Sequence, residues 1–175
     1  MDLPLGFEPF AGQSRAAHAA VLVGGALACL LGYVGAAAVL FEPTALAHDA
    51  PAGSRRVAAA FASLACWGFY SAAFVRGKGG PVTNVVVSPL VTVTVLPFAY
   101  RWIVFGPAWD AIRDRVSLLY FRPSVFVDAA ALVLPGLVFS AGLLTLWASL
   151  LGEEAVEKWQ REHLSREFRR AFVDE

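Results

Sequence analysis

Long uncharged blocks alternate along this chain with short stretches that are charged or rich in proline and glycine. The uncharged blocks cover residues 19–41, 57–75, 82–100 and 129–151. A helix needs ~20 apolar residues to cross a ~30 Å hydrocarbon layer at ~1.5 Å per residue, and each block is close to that length. The pattern therefore predicts an all-α membrane protein with four transmembrane helices.

The third block is less regular than the others, because it is rich in valine and threonine and contains Pro89 and Pro97. β-Branched runs of this kind favour a strand in water. In lipid, however, an isolated strand would leave its backbone N–H and C=O groups unpaired, which is very unfavourable. We therefore expect a spanning helix that is kinked at its prolines. A re-entrant segment shielded by neighbouring protein is the alternative.

Two charged segments outside the blocks also have helical periodicity. From Trp109 to Tyr120, apolar side chains recur at helical spacing opposite charged ones, which predicts an amphipathic helix in the membrane interface. From 152 to 175 charges occur in nearly every turn, and pairs such as Glu157 with Arg161 have the spacing that stabilises a helix. We therefore divide the chain into a transmembrane four-helix domain, residues 1–151, and a charged helical C-terminal tail, residues 152–175.

Composition and charge support a lipid bilayer as the main environment of the chain. Its residues are 58% hydrophobic and only 16% charged, whereas a soluble domain carries about 25% charged residues. The formal net charge of +0 provides no general attraction for nucleic acid, so no nucleic-acid partner is predicted. Basic residues favour the side that holds both termini, mainly through the C-terminal arginines, which predicts cytoplasmic termini in a multi-pass protein of the cell membrane.

Small residues recur on one face of the first predicted helix, where Gly24, Ala28, Gly32 and Ala36 follow one another at helical spacing. Such a stripe lets another helix backbone approach closely in lipid, where the hydrophobic effect does not drive helices together. We expect the partner to be the second or fourth helix of the same chain. A second copy of the chain or another protein is the alternative.

A polar stripe is predicted on the third helix, because Asn84, Ser88 and Thr92 share its helical spacing. Such a stripe could line a path for a solute or for water. We favour the alternative, in which Ser88 and Thr92 bond to carbonyls of their own helix and Asn84 bonds to a neighbouring helix.

Asp128 is the acidic residue that lies next to the fourth block. An acid inside a membrane is costly to bury and is therefore a candidate functional group. Its position at the start of the helix favours a different role, in which it stabilises the helix N-terminus and pairs with Arg122.

The sequence predicts no cofactor and no metal site. Cys29 and Cys66 both lie inside uncharged blocks, where a cysteine usually serves as a small packing residue. His18, His48 and His163 lie in three separate regions and do not share the spacing of a metal-binding helix face. The sequence also lacks phosphate-binding glycine loops, CxxC pairs and zinc motifs, so we predict that the chain is not an enzyme.

Three functional hypotheses remain. The first is an accessory or assembly subunit of a membrane complex that binds other membrane subunits or self-associates, motivated by the small-residue stripe and the amphipathic helices. The second is a small oligomeric transporter or channel lined by the polar stripe of the third helix. The third makes the C-terminal tail an arm whose apolar face, with Trp159, Phe168 and Phe172, binds a soluble partner.

Overall fold

The computed structural model of the protein describes residues 14–41, 51–105 and 123–173, and the regular structure in these ranges is helical throughout. A π-helical segment precedes the third α-helix and runs directly into it. In chain order the elements are α1 (Arg15–Leu40), α2 (Ala52–Val75), the π-helical segment (Val82–Val87), α3 (Ser88–Phe105), α4 (Pro123–Leu151), α5 (Glu153–His163) and α6 (Arg166–Phe172).

Three of these helices are long and apolar enough to cross a membrane, namely α1, α2 and the Val127–Leu151 part of α4. The predicted all-helical class is therefore confirmed, with three candidate membrane-spanning helices in the described ranges where the sequence predicted four spans. The third block forms a helix and not a strand, with a shorter apolar stretch over Val82–Leu96. The interfacial helix predicted between the third and fourth spans falls within residues 106–122, outside the described part of the chain.

Helix α2 is the centre of the bundle, since it packs against α1, α4 and the π-helical segment with α3. Its large side chains Trp67 and Tyr70 are fully buried. The outer helices instead turn leucine and valine outward, including Leu31 and Val39 of α1 and Val138 and Leu150 of α4. A core of aromatic and small residues with a leucine-rich exterior matches a bundle that is solvated by lipid chains.

Proline shapes the start of the third helix. Pro89 has no N–H and cannot donate the bond that an α-helix would direct to the carbonyl of Val85, and its ring crowds that carbonyl. The turns before it widen accordingly, and the Ser88 N–H bonds to the Thr83 carbonyl in the π pattern. The indole Nε1 of Trp67 donates to the Val85 oxygen at 3.0 Å. A side chain of α2 thus supplies the donor that the proline removed.

Helix α4 also contains an internal proline, Pro135, which is followed by Gly136. The backbone N–H of Gly136 donates to Ser63 Oγ of α2 at 2.9 Å. A Cβ at Gly136 would lie 2.7 Å from the Ser63 carbonyl oxygen, so only glycine allows α4 to approach this closely. The proline and glycine therefore bring α4 into backbone contact with α2.

The charged C-terminal tail consists of two short helices, where the sequence predicted one. Gly152, with φ +80°, separates α5 from α4. After α5, Leu164 is extended, and the side chain of Ser165 accepts the N–H of Phe168 as an N-cap. This capping starts a new helix and explains the break, because an N-cap residue has non-helical backbone angles.

Candidate functional site

The small-residue stripe of α1 faces α2 of the same chain. A Cβ added at Gly24 would overlap the ring of Phe69, and one added at Gly32 would lie 2.9 Å from the Phe61 carbonyl oxygen. Ala36 packs against a buried cluster of α1 and α2, and Ala28 is half-buried. The close approach that these residues permit is therefore used inside the molecule.

The three residues of the predicted polar stripe have different surroundings. Asn84 is buried and donates from Nδ2 to the Lys78 carbonyl at 2.8 Å, which holds the turn between α2 and the π-helical segment. Thr92 is bonded through Oγ1 to the hydroxyl of Tyr70 at 2.9 Å. Ser88 and Asn84 border a cavity of about 20 Å³, which has room for one water molecule. Two of the three side chains thus hold helices or turns together.

Serines of α2 form buried polar contacts with α4 that were not predicted from the sequence. Ser71 Oγ and Ser140 Oγ are 2.6 Å apart, and both residues are fully buried. Ser63 accepts the Gly136 N–H on the same side of α2. The serines of an otherwise apolar block were the sequence signal for these contacts, because hydroxyl groups in lipid form hydrogen bonds between helices.

Asp128 pairs with Arg56 at the start of α2, where Oδ1 and Nε are 2.6 Å apart. The side chains are 57% and 36% exposed, respectively, so the pair lies at the end of the bundle and not in its interior. Arg122, the partner predicted from the sequence, lies outside the described residues. We call this end of the molecule the Arg56 end.

The opposite end is formed by an aromatic contact between the tail and the bundle. Trp159 of α5 donates from Nε1 to the carbonyl of Val75 at 2.8 Å. Its ring packs edge-on against Phe74 and Trp147 and stacks on His163, with centroids 5.0 to 5.1 Å apart. Trp159 is therefore engaged within the chain, whereas Phe172 of α6 is 69% exposed. We call this end the Trp159 end.

The remaining candidate groups do not assemble into a catalytic or metal centre in the ranges that the structure covers. Across those ranges, no group of three or more histidine, cysteine or acidic residues could hold a metal ion. Cys29 and Cys66 are free thiols, both buried. His18 lies at the start of α1, and His163 is in the aromatic contact of the tail.

The buried polar groups of this bundle therefore serve contacts within the protein. The buried polar side chains of the described spans are Ser63, Ser71, Thr83, Asn84, Thr92 and Ser140. Each of them is hydrogen-bonded to another protein group. Comparison with protein-family models, with curated proteins and with solved structures finds no match to this chain.

Proposed function

We propose that this protein is an accessory or assembly subunit of a membrane complex, which acts by binding other membrane proteins and catalyses no reaction of its own. The alternative of a small transporter needs polar groups that are free to meet a solute. The buried hydroxyls and the amide of the described spans are instead bonded to protein. Binding on the outer surface is the function that this arrangement favours.

The observation that carries the proposal is a stripe of small and polar residues on the outward face of α4. Gly142, Thr145 and Ser149 are exposed and stand opposite the buried Gly136 and Ser140. A Cβ at Gly142 would meet no atom within 4 Å, and the two hydroxyls bond to carbonyls of their own helix. In lipid, a face of this composition favours close packing with another helix.

The partner is expected to be a helix of a different chain. The corresponding stripe on α1 is already covered by α2, whereas the outward stripe of α4 has no neighbour among the described elements. A small-residue face of this kind is suited to the backbone of a partner span, since glycine leaves a groove in the helix surface. If the partner is a second copy of the chain, the same face mediates self-association.

We test the partner proposal with Gly142→Leu. The added side chain has open space in the isolated bundle, so folding should be unaffected while the groove for a partner helix is filled. In gentle detergent extracts, we expect wild-type protein to copurify with a stoichiometric membrane partner. The variant should lose at least tenfold in affinity, which corresponds to about 1.4 kcal/mol.

Gly35→Leu is the matched control, because Gly35 of α1 is also exposed with no atom within 4 Å of an added Cβ. This variant should retain the partner at the wild-type level. Recovery of wild-type protein alone as a monodisperse monomer would refute the accessory role. Equal retention by both variants would exclude the α4 stripe as the docking face.

We propose a topology of four spans with both termini in the cytoplasm. Val75 lies at the Trp159 end, and Asp128 lies at the Arg56 end, which supports a further crossing of the membrane between them. The continuous helix from Val82 to Phe105 is the segment that can make this crossing. Basic residues such as Lys78, Arg161 and Arg170 belong to the Trp159 end, which favours the cytoplasm for that end.

Cysteine labelling tests this topology in a background with Cys29→Ser and Cys66→Ser. A membrane-impermeant maleimide should label Gly53→Cys on intact cells, because Gly53 is exposed at the Arg56 end. Ser14→Cys and Val173→Cys should react only after the cells are opened. Labelling of Ser14→Cys and Val173→Cys from opposite sides would instead require an odd number of spans.

A further inference from the structure

The only two cysteines of the chain meet at the centre of the contact between α1 and α2. Both side chains belong to the same buried cluster. Cys29 is 5% exposed and Cys66 is fully buried. Each residue lies near the middle of its helix, which puts the pair in the hydrocarbon region of a membrane.

The register of the antiparallel pair supports this arrangement independently. Gly25 faces the ring of Tyr70 on one side of the cysteines, and Ala37 packs with Ala58 on the other. In an antiparallel helix pair, moving along α1 by a number of residues corresponds to moving back along α2 by the same number. Cys29 follows Gly25 by as many residues as Cys66 precedes Tyr70, so the cysteines share the register of these contacts. The two cysteines are therefore directly opposite each other.

The backbones of α1 and α2 come close together one turn from the cysteines. One turn beyond Cys29, a Cβ at Gly32 would lie 3.0 Å from the Cα of Ala62. A disulfide needs Cα atoms within about 7 Å of each other and side chains that point together. Helices that pack through glycine and alanine meet the first condition, and the position of both side chains in one buried cluster supports the second.

We propose that Cys29 and Cys66 form an intramembrane dithiol site that a hydroperoxide converts to a disulfide. The small exposed fraction of Cys29 makes its sulfur the one that attacks the peroxide oxygen. Its thiol takes one oxygen from the peroxide, whose O–O bond breaks, and gives a sulfenic acid and an alcohol or water. The Cys66 thiol then displaces that oxygen as water, and the S–S bond forms. The dithiol loses two electrons, and the peroxide gains them.

The depth of the pair selects this class of oxidant. Charged or bulky thiol reagents do not enter the hydrocarbon layer, whereas hydrogen peroxide and lipid hydroperoxides reach it. The product would tie α1 to α2 covalently and close the intervening loop, which restricts the unfolded chain. Oxidation is therefore expected to stabilise the helix pair against which α4 and α3 pack.

The test treats the purified full-length chain in lipid nanodiscs with hydrogen peroxide. We expect the intact mass to fall by that of two hydrogen atoms, and the peptides that contain Cys29 and Cys66 to be recovered linked. The apparent Tm should rise and should return to its starting value after dithiothreitol. Oxygen adducts without a link, or a link only between two chains, would overturn the proposal.

Two variants make the result specific. Cys29→Ser should abolish the link and leave Cys66 unmodified or as an oxygen adduct. The double variant Cys29→Ser with Leu30→Cys keeps two cysteines but moves one to an exposed position of α1. It should remain uncrosslinked under the same treatment. Crosslinking of this variant to the wild-type extent would show that chain mobility and not the observed register forms the bond, and would refute the site.

Discussion

Gly136→Ala adds a single methyl group and is expected to destabilise the bundle strongly. The new Cβ would lie 2.7 Å from the Ser63 carbonyl oxygen and would overlap the Trp67 ring, so α4 has to move away from α2. That movement also lengthens the bond from the Gly136 N–H to Ser63 Oγ. Overpacking of this kind costs about 3 kcal/mol. This loss is measured as the difference in the free energy of unfolding between the wild type and the variant, in mixed micelles titrated with dodecyl sulfate.

The matched control is Gly142→Ala on the same helix. Gly142 faces outward with open space, so alanine should change the free energy of unfolding by no more than about 1 kcal/mol, in the stabilising direction given by helix propensity. The difference between the two variants isolates the α2–α4 contact from any general effect of alanine. Equal stability of the two variants would contradict the close approach of α4 to Ser63.

Trp67→Phe is expected to cost about 2 to 4 kcal/mol, as the sum of a lost hydrogen bond and a partly emptied core position. Trp67 is fully buried, and its indole Nε1 donates a hydrogen bond to the Val85 carbonyl oxygen at 3.0 Å. Phenylalanine fills much of the same space but has no donor. The Val85 oxygen would then be left in an apolar surrounding without the donor that Pro89 cannot provide.

A double-mutant cycle with Pro89→Ala separates the hydrogen bond from the packing loss. Alanine at this position restores a backbone N–H that can reach the Val85 carbonyl in an α-helical turn. Trp67→Phe should therefore be less costly by about 1 kcal/mol in the Pro89→Ala background than in the wild type. An identical cost in both backgrounds would mean that the indole bond to Val85 contributes nothing to stability.

The roles of individual polar residues depended on the partner opposite them. Asn84, Ser88 and Thr92 share a spacing that predicts one stripe, but the π-helical turns before Pro89 change the rotation per residue. Asn84 consequently bonds to the turn at Lys78, while Thr92 bonds to Tyr70 of α2. The spacing alone contained no information on Tyr70 or Lys78, because both belong to a different segment of the chain.

Hydrophobic periodicity and block length were sufficient to determine the all-helical class of this protein. Uncharged blocks of this length have one stable form in lipid, since only a helix satisfies its own backbone groups, and three such helices are present. The break between α5 and α6 was also encoded locally, in the capping by Ser165, although the charge spacing predicted a single helix. These features depend on residues that are neighbours in the chain.

Only the tertiary structure decided which helices meet and in what register. It placed Cys29 with Cys66 in one buried cluster, and it paired Ser71 with Ser140, Arg56 with Asp128 and Trp159 with the end of α2. Each of these contacts joins residues that are far apart in the chain, and several sequence positions would have been equally suitable partners. Helix association in lipid depends on shape and on a few hydrogen bonds, so the choice is made by the fit of whole surfaces.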